Sequence, residues 1–120
     1  MALLDGIFGP HVNNLSRSMK QASLRQDLLS ENLANVNTPG YKRKDIDFGI
    51  ELERAKTSLI DKKHGGFIKK NEGGLRRDGN SVDLESEVAN MAETEFRYRL
   101  LTDMTNRYFT GLKSVIREGR

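Results

Sequence analysis

Apolar residues recur at alternating steps of three and four through the first third of the chain. The stripe runs from Val12 to Val36, and its one polar member is Gln26. This period is that of an amphipathic α-helix packed against another helix. Pro10 follows a glycine and suits the first helical position, so we expect the helix to cover residues 10–36. Its apolar members are Val12, Leu15, Met19, Ala22, Leu29, Leu33 and Val36.

A second apolar stripe runs through the C-terminal third of the chain. No proline interrupts residues 83–117, and acidic residues at the start with basic residues at the end complement the helix dipole. Either Ser81 or Asp83 can cap the first amides, so we expect one helix about 50 Å long. Its stripe consists of Leu84, Val88, Met91, Tyr98, Leu101, Tyr108, Leu112 and Val115.

The segment between the two helices has a different character. Glycine pairs at 65–66 and 73–74 stand among charged residues, so regular helix is not expected over most of it. Apolar residues alternate over 46–52, which suits a short strand, whereas 48–59 suits a helical turn or two, and both interpretations stay open. The chain therefore divides into a leader with the first helix, a turn with a loop-rich centre, and the second helix, at residues 1–37, 38–80 and 81–120.

The first helix is predicted to end in a turn. Pro39 lacks an amide hydrogen and holds the residue before it extended. Pro39 and Gly40 suit the two central positions of a type II turn. Asn35 and Asn37 can bond carbonyls left open in the last helical turn, and Tyr41 offers a ring that anchors the chain as it leaves. The residues assigned to this turn are Asn35, Asn37, Thr38, Pro39, Gly40 and Tyr41.

Two long terminal helices predict a mainly α fold. We expect an antiparallel, coiled-coil-like hairpin whose loop-rich middle has room for a short β hairpin. The chain is 36 % hydrophobic with a mean hydropathy of −0.65, which predicts a thin core. A two-helix hairpin cannot cover both stripes and their apolar flanks, so the surplus favours packing against other subunits. The alternative is that both stripes are the core of one domain. The flanking residues are Leu24, Leu28, Phe96 and Phe109.

Composition argues against several classes of function. The net charge of +3 is spread along the chain, and the basic run 42–44 is followed by Asp45 and Asp47, so we interpret both as solvated rather than as a nucleic-acid or metal site. With two separate histidines, His11 and His64, and no cysteine, no metal, cofactor or thiol chemistry is expected. Nucleophile and phosphate-loop motifs are absent, so we do not expect an enzyme. No apolar run is long enough to span a membrane, and a cleavable signal pattern is lacking.

Two blocks of sequence resemble a known family. Residues 34–42 read ANVNTPGYK, which resembles the signature of the bacterial flagellar axial proteins, the rod and hook family. Residues 78–83 read DGNSVD and are followed by Glu87 and Tyr98, as in a proximal-rod member of that family. The resemblance implies a structural subunit of the basal-body proximal rod, in the periplasm, exported by the flagellar type III apparatus without a cleaved signal peptide. It implies that both helices pack into a hollow axial structure and transmit torque.

The resemblance also implies partners. These are other flagellar rod proteins, the rod-base adaptor protein, the inner-membrane ring protein and the flagellar export gate, in a homo- and hetero-oligomer without nucleic acid. Phe8 and Val12 are similar to the Phe-x-x-x-apolar element that early export substrates present to the gate, although the same residues suit the cap of the first helix equally well. The alternatives are another rod protein of the same family, or a soluble helical adaptor or chaperone.

Overall fold

The computed structural model describes residues 2–46, 68–70 and 76–119, with the backbone alone for residues 2–8 and 68–70. Two long helices packed against each other form the molecule, and two short strands pair in antiparallel fashion between them. The predicted mainly α hairpin with a short β element is therefore confirmed. The elements in chain order are α1 (Ala2–Ala34), β1 (Lys44–Ile46), β2 (Ile68–Lys70) and α2 (Leu84–Glu118).

Helix α1 consists of two helical pieces that meet at Gly9. The φ of 63° and ψ of 174° at this glycine are not helical, and Pro10 begins the longer piece. Proline fits there because the first amides of a helix have no acceptor within the helix. The predicted start at Pro10 is confirmed for the longer piece, and the apolar leader before it is helical as well.

Helix α1 ends at Ala34, two residues before the predicted end. The amide of Asn35 is shared between the carbonyls of Glu31 and Asn32, at 3.2 and 3.1 Å, and the amide of Val36 reaches the carbonyl of Leu33 at 3.2 Å. These shorter bonds tighten the last turn and end the α-helix. Val36 therefore lies in the turn and not on the helical stripe to which it was assigned.

Helix α2 begins after Asp83, which supplies its cap. The Asp83 side-chain Oδ1 accepts the amide of Glu85 at 3.2 Å, and its carbonyl accepts the amide of Glu87 at 2.9 Å. Of the two predicted caps, Asp83 is the one used, because the Ser81 hydroxyl accepts the amide of Arg43 at 2.7 Å instead. The acidic start and Arg117 in the last turn agree with the predicted dipole pattern.

The chain forms two compact units, each built from parts of both long helices. One contains Met1–Leu24 and Ala92–Arg120, and the other contains Arg25–Met91. In the first unit the hydroxyl Oγ1 of Thr105 on α2 lies 3.7 Å from the sulfur of Met19 on α1. This contact joins the half-buried faces of the two helices within that unit.

The second unit has a small apolar core from three parts of the chain. Leu28 and Leu29 come from α1, Ile46 from β1 and Val82 from the segment before α2, and all four are buried. Leu28 thus lies in the core, although the sequence pattern placed it beside the stripe. Strand β1 pairs with β2 with Lys44 opposite Lys70 and Ile46 opposite Ile68. Beside these four apolar residues, the unit buries four polar side chains: Asn32, Asn80, Ser81 and Glu87.

Candidate functional site

The turn that follows α1 has the predicted type II geometry. Gly40 has a φ of 73°, and the amide of Tyr41 donates to the carbonyl of Thr38 at 3.3 Å across Pro39 and Gly40. A positive φ at the second central position is the reason that glycine is required there. The prediction of a Pro-Gly turn at this point is confirmed.

Asn80, far along the chain, holds the end of α1 in place. Its side chain is fully buried, and its amide nitrogen Nδ2, with two hydrogens, lies within hydrogen-bond distance of three carbonyls of the segment that follows the helix. Its Oδ1 accepts the amide of Val82 at 2.7 Å, so both ends of the side-chain amide are bonded. The three carbonyls belong to Asn35, Val36 and Thr38, at 3.0, 3.0 and 2.8 Å.

The backbones of the two sequence blocks also bond directly to each other. The amide of Gly40 donates to the carbonyl of Asp78 at 2.9 Å, and the amide of Ser81 donates to the carbonyl of Tyr41 at 3.1 Å. Gly79 has a φ of 78°, and a Cβ built on it would lie 3.6 Å from the Cα of Gly40. The two blocks therefore form one structure, although about 40 residues separate them in the sequence.

Asn32, near the end of α1, bonds to the start of β1 as a neighbouring strand would. Its Nδ2 donates to the carbonyl of Lys44 at 2.7 Å, and its Oδ1 accepts the amide of the same residue at 3.0 Å. Oδ1 also accepts the hydroxyl of Tyr41 at 3.2 Å, and Nδ2 lies 3.3 Å from Oε2 of Glu87. Burial, followed by the nearby carboxylate of Glu31, raises the pKa of Tyr41 and keeps its hydroxyl a donor.

A chain of alternating charges crosses the same region. Arg25 Nε donates to Asp45 Oδ1 at 3.1 Å, Arg43 Nη2 donates to Asp45 Oδ2 at 2.9 Å, and Arg43 Nε donates to Oε1 of the fully buried Glu87. Burial by itself would raise the pKa of Asp45, but the hydrogen bonds from Arg25 and Arg43 outweigh it, and the pKa lies below its ordinary value. We call this buried set the polar joint: Arg25, Asn32, Tyr41, Arg43, Asp45, Asn80 and Glu87.

The polar joint corrects one interpretation made from the sequence. The run 42–44 and Asp45 are not a solvated patch, because Arg43 and Asp45 are about four-fifths buried in ion pairs, and Lys42 Nζ donates to the carbonyl of Gly79 at 2.7 Å. The counter-charges lie 20 and 44 positions away, on α1 and α2. A count of charges over neighbouring positions does not detect such pairs.

The apolar stripe of α1 is mostly covered, whereas most of the turn that follows it is exposed. Ala22 and Leu29 are buried and the other stripe members are half-buried, so this face of α1 is protected within the chain. Asn35 donates to the carbonyl of Glu31 at 2.8 Å, as expected of a residue that closes a helix. The side chain of Phe8, the first export-gate candidate, lies outside the described residues. The half-buried members on α1 are Val12, Leu15, Met19 and Leu33, and Val36 in the turn is half-buried too. The exposed turn residues are Asn37, Thr38, Pro39 and Gly40.

The second stripe divides into a protected half and an exposed half. Met91, Leu101, Tyr108 and Leu112 are half-buried. The other members are exposed, and so are further large hydrophobic side chains of α2 that the pattern did not include in the stripe. Together the exposed set is 42–71 % accessible: Leu84, Val88, Phe96, Tyr98, Leu100, Met104, Phe109, Val115 and Ile116.

The described part of the chain offers neither a metal-binding cluster nor a membrane-spanning helix. No group of three His, Cys, Asp or Glu side chains there is placed to hold a metal ion. The same residues contain no helix that is long and apolar enough to cross a bilayer. Among the described residues, Oε1 of Gln26 is the one buried side-chain oxygen or nitrogen without a hydrogen-bond partner.

The chain is similar to known proteins over most of its length. Residues 13–42, which include most of α1 and the turn, match the family model described as flagella basal body rod protein. The flagellar basal body rod protein FlgB of Borrelia hermsii is 34 % identical, with 92 % of this chain and 98 % of the relative aligned. FlgB of Cereibacter sphaeroides is 36 % identical over 78 % of this chain and 83 % of the relative. FlgB of Bacillus subtilis is 26 % identical over 95 % and 98 %.

Proposed function

This chain belongs to the FlgB family of flagellar basal body rod proteins, and from that premise we propose how its helices and its polar joint build the rod. It is a structural subunit of the flagellar basal-body rod and assembles with other rod components. In our proposal, α2 supplies the apolar surface that neighbouring subunits cover. The polar joint fixes the direction in which the chain leaves α1.

The observation that carries this proposal is the exposed apolar set on α2. Nine large hydrophobic side chains on one helix are 42–71 % accessible in the single chain. Covering apolar area yields roughly 25 cal/mol per Å², so each such side chain contributes on the order of 1 kcal/mol when a neighbour packs on it. So many exposed large hydrophobic side chains on one helix favour their burial between subunits.

The polar joint complements this surface with rigidity. Its bonds join the end of α1, the start of β1 and the first turn of α2 through directional contacts of buried groups. An apolar stripe tolerates sliding along a helix, whereas hydrogen bonds of this kind fix one arrangement. We propose that this joint transmits torque between the helices and the middle segment.

The remaining partners are proposed from family membership. We propose contacts with the rod-base adaptor and the inner-membrane ring, a periplasmic position in the rod, and type III export without a cleaved signal peptide. Phe8 and Val12 remain the candidates for the export gate. Replacing both with polar residues should block secretion while intracellular levels stay normal, and normal secretion would remove these two residues from the proposal.

The assembly proposal is tested by polar substitutions on the exposed face. Val88→Asn and Ile116→Asn should leave helix content and thermal midpoint unchanged, because both side chains are more than half exposed. In bacteria with the chromosomal copy replaced, both should reduce motility and recovery of the chain with detergent-resistant basal bodies. Asn106→Asp, an exposed polar position on the same helix, is the matched control. Full recovery of both variants with basal bodies, or a chain found in the soluble fraction alone, would contradict the proposal.

A further inference from the structure

One face of α2 carries an apolar ridge that neither α1 nor the polar joint uses. Phe96, Leu100 and Met104 follow each other at steps of four, and they are 71, 50 and 49 % exposed. Side chains at this spacing form one continuous ridge along a helix. The half-buried Leu101 lies about 100° further around the helix, so the ridge lies to one side of the protected stripe. All of these residues belong to one compact unit.

A gap of small residues lies on the same face, further along the helix. Gly111 follows Leu100 by about three helical turns, so the two residues lie on nearly the same side of α2. Ser114 follows Phe96 by about five turns and lies on the same side as Phe96 for the same reason. A Cβ built on Gly111 meets nothing within 4 Å. Glycine inside a helix is unfavourable relative to alanine, and the described residues around Gly111 offer no packing reason for it. A glycine there suits the close approach of another helix.

Two charges lie beside the ridge. Asp103 and Arg107 are one turn apart and exposed, and neither forms an ion pair within the part of the chain that the structure describes. The neighbouring acids Glu93 and Glu95 do pair, with Arg97 and Arg99 one turn further on. The face thus has large residues, then an acid and a base, then small residues.

We propose that this face of α2 pairs with the same face of a second copy of the chain, antiparallel, about a twofold axis that crosses the helix pair at the height of Thr105. In this register, residues whose numbers sum to about 210 lie opposite each other. Leu100 then lies over Gly111 of the second copy, and Phe96 lies over its Ser114. Asp103 faces Arg107 of the second copy, and every contact occurs twice. Large side chains meet small ones and opposite charges meet, which is why a second copy fits this face.

The pairing itself goes beyond the rod function and can be measured on the isolated chain, whereas its effect on polymerisation rests on the proposed rod function. A twofold contact is closed, because the same patch is used on both copies and none remains to bind a third. Chains paired in this way are withheld from polymerisation, and the pair is a reserve form of the subunit. One helix face is small, so the pairing depends on concentration.

Cysteine cross-linking tests the direction and register of the pair, because the chain contains no cysteine of its own. Full-length chains carrying Leu100→Cys and Gly111→Cys are mixed and mildly oxidised. We expect a disulfide between the two variants and none within either variant alone, because a disulfide requires Cα atoms less than about 7 Å apart. A mixture of Leu100→Cys with Asn106→Cys, which lies off the ridge, is the control and should not cross-link. A Leu100→Cys homodimer, or no cross-link in the mixture, overturns the proposal.

Sedimentation equilibrium tests the contacts that hold the pair. Gly111→Leu should weaken self-association at least tenfold, because the added side chain occupies the space of Leu100 from the second copy. The thermal midpoint of this variant should be no lower than that of the unaltered chain, because leucine favours helix over glycine. A loss of pairing in this variant can therefore not be explained by unfolding. Asp103→Arg and Arg107→Asp should each weaken association, and the double exchange should restore it. An unaltered chain that is monomeric at all concentrations refutes the pairing. So does a double variant, Asp103→Arg with Arg107→Asp, that does not regain association. Failure of the rod function is a separate result, because it is measured by recovery of the chain with basal bodies.

Discussion

Replacing Arg43 with methionine tests whether the polar joint holds the second unit together. The change leaves the carboxylate of Glu87 fully buried without the cation that faces it, whereas Asp45 keeps Arg25. Removing one partner of a buried ion pair typically costs 3–5 kcal/mol, and because Arg43 is itself one-fifth exposed we expect about 3 kcal/mol, at the lower end. The free energy of unfolding is measured by urea denaturation followed by circular dichroism, with an expected shift of the midpoint of about 1–3 M.

A second substitution distinguishes an unpaired charge from a general loss of packing. Adding Glu87→Leu to Arg43→Met removes the stranded carboxylate, and we expect most of the lost stability to return because an apolar pair is compatible with burial. The matched control is Arg97→Met, which breaks the exposed pair with Glu93 and should change stability by no more than about 0.5 kcal/mol. A loss for Arg43→Met as small as that of the control, or a double variant less stable than the single one, would refute the reasoning.

Three further substitutions probe single groups. Asn80→Ala should destabilise the chain by about 2–3 kcal/mol, measured by urea denaturation, because the amide of the buried Val82 loses its acceptor and three carbonyls after α1 each lose one of their donors. A change below about 0.5 kcal/mol, roughly that of an ordinary surface substitution, would contradict this. Gln26→Met should raise the thermal midpoint by roughly 4 °C, because it removes a buried oxygen without a partner, and no rise would mean that this oxygen is solvated. Because Arg25 and Arg43 hold the pKa of Asp45 below its value of 3.8 in the unfolded chain, its stabilising contribution is present above pH 4 and is lost as the pH falls through the folded pKa. Asp45→Asn should therefore flatten stability between pH 5 and 2, as pH-dependent melting would show, and an unchanged slope would contradict it.

The elements that follow from local rules could be predicted from the sequence. The two helices follow from apolar periodicity, and the turn follows from the fixed φ of Pro39 and the positive φ of Gly40. The sequence allows Ser81 or Asp83 as the cap of α2, and Asp83 is the residue that caps it. Each of these features depends on residues at most a few positions apart, where sequence and conformation are directly coupled.

The polar joint could not be predicted in this way. Asn80 bonds to carbonyls 42–45 positions away, and Arg43 bonds to Glu87 across 44 positions. Both Asn80 and Glu87 lie in or just after the second family-like block, but their side chains gain a role through the fold alone, when the two blocks meet. The same reason explains the wrong interpretation of the basic run, since neighbouring residues do not show whether a charge is buried. The family resemblance is the one sequence signal that includes Asn80 and Glu87, but it does not show which residues they bond to.

The two blocks that resemble the family are halves of one structural unit, and this has a consequence for how the subunit works. Local turn chemistry makes Pro39 and Gly40 bend the chain, but it does not fix where the bent chain goes next. That direction comes from Asn80, which donates to carbonyls of the turn, and from the backbone hydrogen bond between the Gly40 amide and the Asp78 carbonyl. We infer that directional hydrogen bonds of buried groups are used here because apolar packing alone leaves that direction less well defined.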